Sequence, residues 1–303
     1  MSDRLDVEVG GYRVQILVDG NTGPVVVLCS GVGGRALHWS DTAANLAHDH
    51  TVVRFDRPGT PVARTPALDR RRTVRGEAER IAAVLDAVRR PDAAVIVGHS
   101  VGGFYAEGFA RLYPQRTRAL LLLDSSIAPD PPRRLALPLG AKLAAADAAA
   151  AMLNKLNLQT PLARAGLTLA QRRRPGGLDT QMRSEIGSAA TEPGFAAALL
   201  TEYVLYHELA AELCTLRTNC PLPPVRRTVV TAHTGWRTRR WRSQQIQVAN
   251  ALGAEHVTIA PAGHLVMIEH PRRTADLIRN SAGRSGRGTG EQLFSQDGMD
   301  GLT

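Results

Sequence analysis

Six short runs in this chain are rich in apolar and β-branched residues: PVVVLCSG (24–31), TVVRFD (51–56), AAVIVGH (93–99), RALLLLD (118–124), RTVVTA (227–232) and HVTIA (256–260). Each has the length of one strand. A strand with no polar alternate is buried on both faces, which is how strands of a parallel sheet covered by helices on both sides read. Helical patterns fall between the runs, at about 39–48, 73–90, 101–113, 239–252 and 271–281; in the second, Val74, Ile81, Val84, Leu85 and Val88 fall largely on one face. The alternation predicts an α/β fold with a mostly parallel, doubly wound sheet. Ahead of it, LDVEVGG and YRVQILVDG alternate and meet at Gly10-Gly11, which predicts an N-terminal β-hairpin.

The pattern breaks between Leu123 and Arg227, where about 100 residues rich in Ala and Leu contain no convincing strand. We expect a helical insertion after strand six, placed to cover the carboxyl edge of the sheet, where open α/β folds bind ligands. The expected division is a core in two parts, 1–125 and 225–281, a helical cap over 126–224, and a polar, glycine-rich tail over 282–303 that is disordered. Within the insertion, PRRLALPLGAKLAAADAAAAMLNKL carries a broad apolar stripe with three roles open to it: packing on the core, guarding an entrance, or joining two copies in a homo-oligomer.

The most informative short stretch is VIVGHSVGG (95–103). Gly98-His99-Ser100-Val101-Gly102 fits G-x-S-x-G, a pattern that says little alone and much between a strand and a helix. There the serine sits on a strained strand-to-helix turn with backbone crossing on both sides, and side chains at 98 and 102 would clash. The turn lifts Oγ to the sheet edge at a helix N-terminus, with the Val101 amide available to a developing oxyanion. A serine hydroxyl needs a base, and nine histidines are available to supply it.

At this point the chain resembles the α/β-hydrolase family, specifically its cap-domain members, over roughly 5–281. The resemblance rests on SGVGG (30–34), FDRPG (55–59), GHSVGGFYAEGFARLYP (98–114) and AGHLVMIEHP (262–271), in that order. It implies that the loop after the last strand carries the base, which is His264. His99 is expected to pack, and His270 to serve structure or surface. It also implies an acid after strand seven in many members, yet Thr228–Ala254 holds no Asp or Glu. Haloalkane dehalogenase-like and luciferase-like members keep the acid after strand six, which here is Asp124; the alternatives are a broken relay, or an Asp124 that merely bonds nearby amides. Glu255 and Glu269, which flank the histidine loop, read as solvent-facing. By the same resemblance the Val32 amide is the second oxyanion donor, although Ser30 stands where members usually have His. FDRPGTPVART departs from the Gly-x-Ser continuation of many members and is expected to shape the pocket.

The resemblance implies a serine esterase acting on a small, fairly apolar molecule, with no metal or organic cofactor. Two rivals stay open: thioester, carbon–carbon or cyclisation chemistry at the same site, and a member that binds a small molecule without turning it over. Dehalogenation and epoxide opening would need Asp in place of Ser100. Tyr203, Tyr206 and His207 in EYVLYHEL, and Trp236 with Trp241 after strand seven, are candidates for lining the pocket; aromatics buried in the cap core are the plainer alternative for the first group.

Composition bounds the rest. The net charge is +9, carried almost wholly by arginine, with Lys142 and Lys155 the only lysines. Arginine clusters at 70–72, 172–174 and 236–242 lack any nucleic-acid-binding motif and read as a solvated face, so no nucleic-acid partner is expected. No run approaches the roughly 20 apolar residues of a membrane helix, and MSDRLDVEVGG lacks the apolar stretch of a signal peptide. With three cysteines in no metal-ligand spacing, a reduced cytoplasmic setting is expected.

Overall fold

The computed structural model describes residues 2–9, 11–57, 72–90, 92–128, 137–162, 165, 184, 187–188, 191 and 194–283. The tail expected over 282–303 lies outside them beyond residue 283, with Ala282 still closing the last helix; the continuation of FDRPG beyond residue 57, the cluster at 172–174 and much of the expected cap lie outside them too.

Eight strands form one sheet: β1 (Asp3–Val9), β2 (Tyr12–Asp19), β3 (Val25–Cys29), β4 (Thr51–Phe55), β5 (Ala94–His99), β6 (Thr117–Leu123), β7 (Arg226–Ala232) and β8 (Glu255–Ile259), in the spatial order β1-β2-β4-β3-β5-β6-β7-β8. The hairpin pairs β1 with β2 from Val9↔Tyr12 outward, and β2 joins β4 antiparallel. Every other pairing is parallel. The reason is in the side chains. Along β5, Val95 and Val97 enter the core under one face while Ile96 enters the other, and all three are fully buried. Neither face can accept a polar residue, so the run is apolar throughout. Each such side chain contributes about 1.5–3 kcal/mol on burial.

Helices cover both faces. On one side lie α1 (Ser40–Leu46) and, at the chain's end, α8 (Pro271–Ala282), sealing a core of Val26, Leu28, Val97, Leu121, Trp39 and Ile278. On the other lie α2 (Val74–Ala87), capped by the Thr73 hydroxyl accepting from the Gly76 amide at 2.9 Å, and α3 (Gly102–Leu112), over Val27, Ile96, Ile81, Leu85, Phe104 and Phe109. Between β6 and β7 the described residues include two long helices and no strand: α4 (Leu139–Lys155) and α5 (Phe195–Asn219), packed on each other, with α5 also against α3. The remaining helices are α6 (Arg239–Leu252), which follows β7, and the short α7 (Val266–Glu269), which follows β8. Among the described residues no helix is long and apolar enough to cross a membrane.

The order β4-β3-β5 places the reversal of winding between β3 and β5. The loops leaving their carboxyl ends, 30–36 and 100–101, therefore diverge over a crevice, which is where a ligand fits in such a sheet.

Candidate active site

Ser100 follows β5 directly, with φ of +54°, and α3 begins two residues later. A side chain in the left-handed region is strained, and strain of this kind persists only where the surroundings fix it. The two glycines of the motif allow the crossing. A Cβ on Gly98 would lie 2.4 Å from the Gly102 carbonyl oxygen, and one on Gly102 would lie 2.5 Å from that of Cys29. The Ser100 backbone is held on both sides: its carbonyl accepts from the amides of Gly103 (3.0 Å) and Ser126 (2.9 Å), and its amide donates to Leu123.

Asp124 ends β6 with φ of +42° and is buried. One carboxylate oxygen, Oδ1, accepts from the Ala232 amide at 3.0 Å and from the indole Nε1 of Trp241 at 2.7 Å. The other, Oδ2, lies 2.6 Å from His264 Nδ1. A carboxylate accepts, so Nδ1 donates, and in the neutral ring that tautomer leaves Nε2 as the acceptor. His264 itself is half exposed, at 52% of its side-chain surface, against 4% for Asp124. The carboxylate is thus sealed inside while the imidazole is open to solvent. Trp241, in the first turn of α6, is half-buried and gives its indole N–H to the carboxylate.

The histidine loop is tied down at several points. His99 is buried and donates from Nε2 to the His264 carbonyl at 2.8 Å; burial first, and the neighbouring His264 second, keep its pKa well below the ordinary value, so it stays neutral. The rings of His99 and His264 are 4.6 Å apart. Glu269, read from sequence as solvent-facing, is instead buried, and its Oε2 accepts from the Gly263 amide at 2.6 Å. The turn of α7 folds it back under the loop, a reversal that a local charge pattern does not show. Glu255 is exposed and pairs with Arg226. His270 donates to the Pro261 carbonyl at 2.7 Å.

On the other side of the crevice, Ser30 is buried; its hydroxyl donates to the Arg35 carbonyl at 3.2 Å and accepts from Trp39 Nε1 at 3.0 Å. The serine therefore braces the loop from inside. Val32 follows it, half buried, and Val101 is buried at the start of α3. Asp56 and Arg57, at the end of β4, grip the same loop, with Asp56 Oδ1 accepting from the Ala36 amide at 2.7 Å. Cys29 lies below, fully enclosed, with burial pushing its thiol up to about 12 and so out of reactive range.

The aromatic candidates separate. Tyr206 packs on Phe104 with ring centres 5.5 Å apart, and its hydroxyl donates to the Ile127 carbonyl at 2.9 Å. His207 stands edge-on to Tyr206 at 5.5 Å. Tyr203 and Trp236 are each 74% exposed, far from the enclosure a pocket wall needs. Among the described residues no group of His, Cys, Asp and Glu is arranged to hold a metal ion.

Similarities to known proteins bear on the family and the fold. The family model described as "Alpha/beta hydrolase family" matches residues 26–277. A curated relative, "Putative carbamate hydrolase RutD" of Pseudomonas savastanoi pv. phaseolicola, is 32% identical over 111 residues, 36% of this chain and 41% of that protein. A Mycobacterium tuberculosis protein is 33% identical over 118 residues, 33% of its length. The chain thus spans about two fifths or less of these first curated relatives. Among solved structures, the thioesterase domain from the curacin biosynthetic pathway aligns with a TM-score of 0.70 at 19% identity, covering 92% of this chain and 99% of that one. The epoxide hydrolase CorEH aligns at 0.71 and 19%, covering 92% and 98%. At such identities the structures speak for the fold, and the sequence match to the family model carries the assignment: this chain belongs to the alpha/beta hydrolase family.

Proposed function

We propose that the protein is a serine hydrolase working by acyl transfer on a small, fairly apolar carboxylic ester. Ser100 Oγ attacks the carbonyl carbon, and His264 Nε2 takes its proton. Asp124 holds the imidazole in the tautomer that leaves Nε2 free and stabilises the imidazolium that forms. The amides of Val32 and Val101 receive the oxyanion of the tetrahedral intermediate. Collapse expels the alcohol, protonated by His264, and water activated by the same base then releases the acid from the acyl-enzyme.

The observation that carries this reading is the 2.6 Å contact between Asp124 Oδ2 and His264 Nδ1, on a loop bound to the residue next to Ser100. A buried carboxylate set on a half-exposed imidazole, in a loop tied to the residue next to a strained serine, supports turnover over binding alone. A carbamate is the second substrate class, favoured by the name of the Pseudomonas relative; the same groups would attack its carbonyl. Epoxide opening fits poorly, because it needs a carboxylate nucleophile where Ser100 stands. No resident metal or organic cofactor is required by these steps.

The test is labelling with a serine-directed fluorophosphonate, followed by a panel of p-nitrophenyl esters and carbamates of graded chain length. Labelling of wild type and none of Ser100→Ala is expected. Equal labelling of both, or of neither, defeats the proposal.

A further inference from the structure

The loop that carries the Val32 amide is held by the cap. Glu202, on α5, is buried, and its two oxygens reach the loop by separate routes. Oε2 accepts from the Gly33 amide at 2.7 Å. Oε1 accepts from Arg57 Nη2 at 2.9 Å, and Arg57 in turn donates to the carbonyls of Ser30 (2.5 Å) and Gly31 (2.6 Å). Val32 lies between these holds, with its peptide neighbours on both sides engaged. Leu199, three residues earlier on α5, rests on the same spot: a Cβ on Gly33 would lie 2.7 Å from its Cδ1.

The carboxylate is anchored from behind as well. Arg72 binds Glu202 Oε1 and pairs with Glu77 at 3.2 Å, and Glu77 also pairs with Arg80 at 3.4 Å. All five of these charged side chains are under 9% exposed, so the charges meet in a medium of low dielectric where their geometry is stiff. Charge-assisted bonds to two fixed arginines leave Glu202 few alternative positions.

We propose that Glu202 is a positioning residue for the oxyanion loop, coupling the seating of α5 to the placement of the Val32 amide. With α5 seated, the loop is clamped at 30, 31 and 33. With α5 displaced, the Gly33 amide loses its acceptor and Arg57 loses the carboxylate that aims it at the carbonyls of Ser30 and Gly31, so the hold on the loop between them loosens. This inference rests on the acyl-transfer reading above. An oxyanion donor acts on the transition state and not on the bound substrate, so its displacement lowers kcat and leaves KM in place.

The experiment compares wild type, Glu202→Gln, Leu199→Ala and Glu208→Gln. The last removes a carboxylate of α5 that is exposed, pairs with Lys142 and does not touch the loop. Two readouts are taken: amide hydrogen exchange of a peptide spanning 28–38, and kcat and KM on the best p-nitrophenyl ester. Glu202→Gln is expected to speed exchange in that peptide at least tenfold and to lower kcat by roughly 10–100-fold, with KM within about twofold. Leu199→Ala, which leaves the ion cluster whole and keeps the test alive if Glu202→Gln does not fold, is expected to show both effects at severalfold. Glu208→Gln is expected to match wild type. Unchanged exchange at 28–38 in the folded variants overturns the proposal, as does faster exchange with kcat intact. If wild type itself neither labels with fluorophosphonate nor turns over, the acyl-transfer reading has failed, and the exchange data alone then decide whether Glu202 clamps the loop.

Discussion

Replacing Asp124 with Asn tests the relay with little disturbance elsewhere. Asn tolerates the left-handed backbone that residue 124 adopts at φ +42°, which Ala would not. Its Oδ1 can keep both donors that now serve the carboxylate, the Ala232 amide and the Trp241 indole. Those two bonds fix the amide orientation and force its NH2 group towards His264 Nδ1, where Oδ2 now lies at 2.6 Å. An amide NH2 cannot accept a hydrogen bond, so the imidazole must turn its bare nitrogen inward and carry its proton on Nε2. In that tautomer it cannot take the proton of Ser100. The known cost of this error in a Ser-His-Asp relay is roughly 10⁴-fold in kcat, or about 5 kcal/mol of transition-state stabilisation. KM should hardly move, since Asp124 is sealed from substrate. The assay is steady-state hydrolysis of a p-nitrophenyl ester, with the fluorophosphonate labelling rate falling in parallel and a thermal melt to show that the fold is intact. A kcat within about tenfold of wild type would refute the reasoning and mean that Asp124 is only a strand-end residue.

Trp241→Phe keeps the ring and removes one donor to Asp124 Oδ1; a loss of about tenfold in kcat is expected, the worth of one hydrogen bond to a charged group at ~1.5 kcal/mol, measured by the same assay. Ser100→Gly should be more stable than Ser100→Ala by about 1 kcal/mol in urea unfolding, because glycine relieves the positive φ and alanine does not. Glu202 sets an acid limit on stability. Burial, the largest influence, pushes its carboxyl up, but Arg57 and Arg72 outweigh it and hold the pKa at about 2 against an ordinary 4.5. A depressed folded pKa means a contribution complete above the ordinary value and lost as pH falls towards 2, amounting to about 3 kcal/mol at most. The urea midpoint gap between wild type and Glu202→Gln should therefore narrow between pH 5 and pH 2.5; a constant gap would contradict this.

The sheet was legible in the sequence because burial on both faces removes polar residues from a strand, and β3 through β8 each lie within a residue or two of an apolar run. Ser100 was legible because its glycines answer to backbone atoms on crossing segments. The fit of Asp124 could be reached only through resemblance to members with the acid after strand six. The residues that were missed owe their place to distant partners. Glu202 meets Arg57 and Gly33 across 145 and 169 positions, and no spacing in EYVLYHEL signals that. Trp241 was noticed as an aromatic, but its partner lies 117 residues away. Glu269 was misread because a charge at the edge of a helix reads as solvated, whereas a short turn can fold it inward. Signals carried along one element survive in sequence; those created by docking two elements do not.

Placing the carboxylate at the end of β6 has a consequence for the neighbouring segment. Among the described residues the turn after β7 gives Asp124 no hydrogen bond: Gly235 and Trp236 are exposed, while the His233 backbone ties the turn to Ile259 and to Ala262, two residues ahead of His264. On the acyl-transfer reading, the exposed side chains of this turn are where the surface beside His264 can vary while the His233 backbone and the Trp241 indole keep their holds.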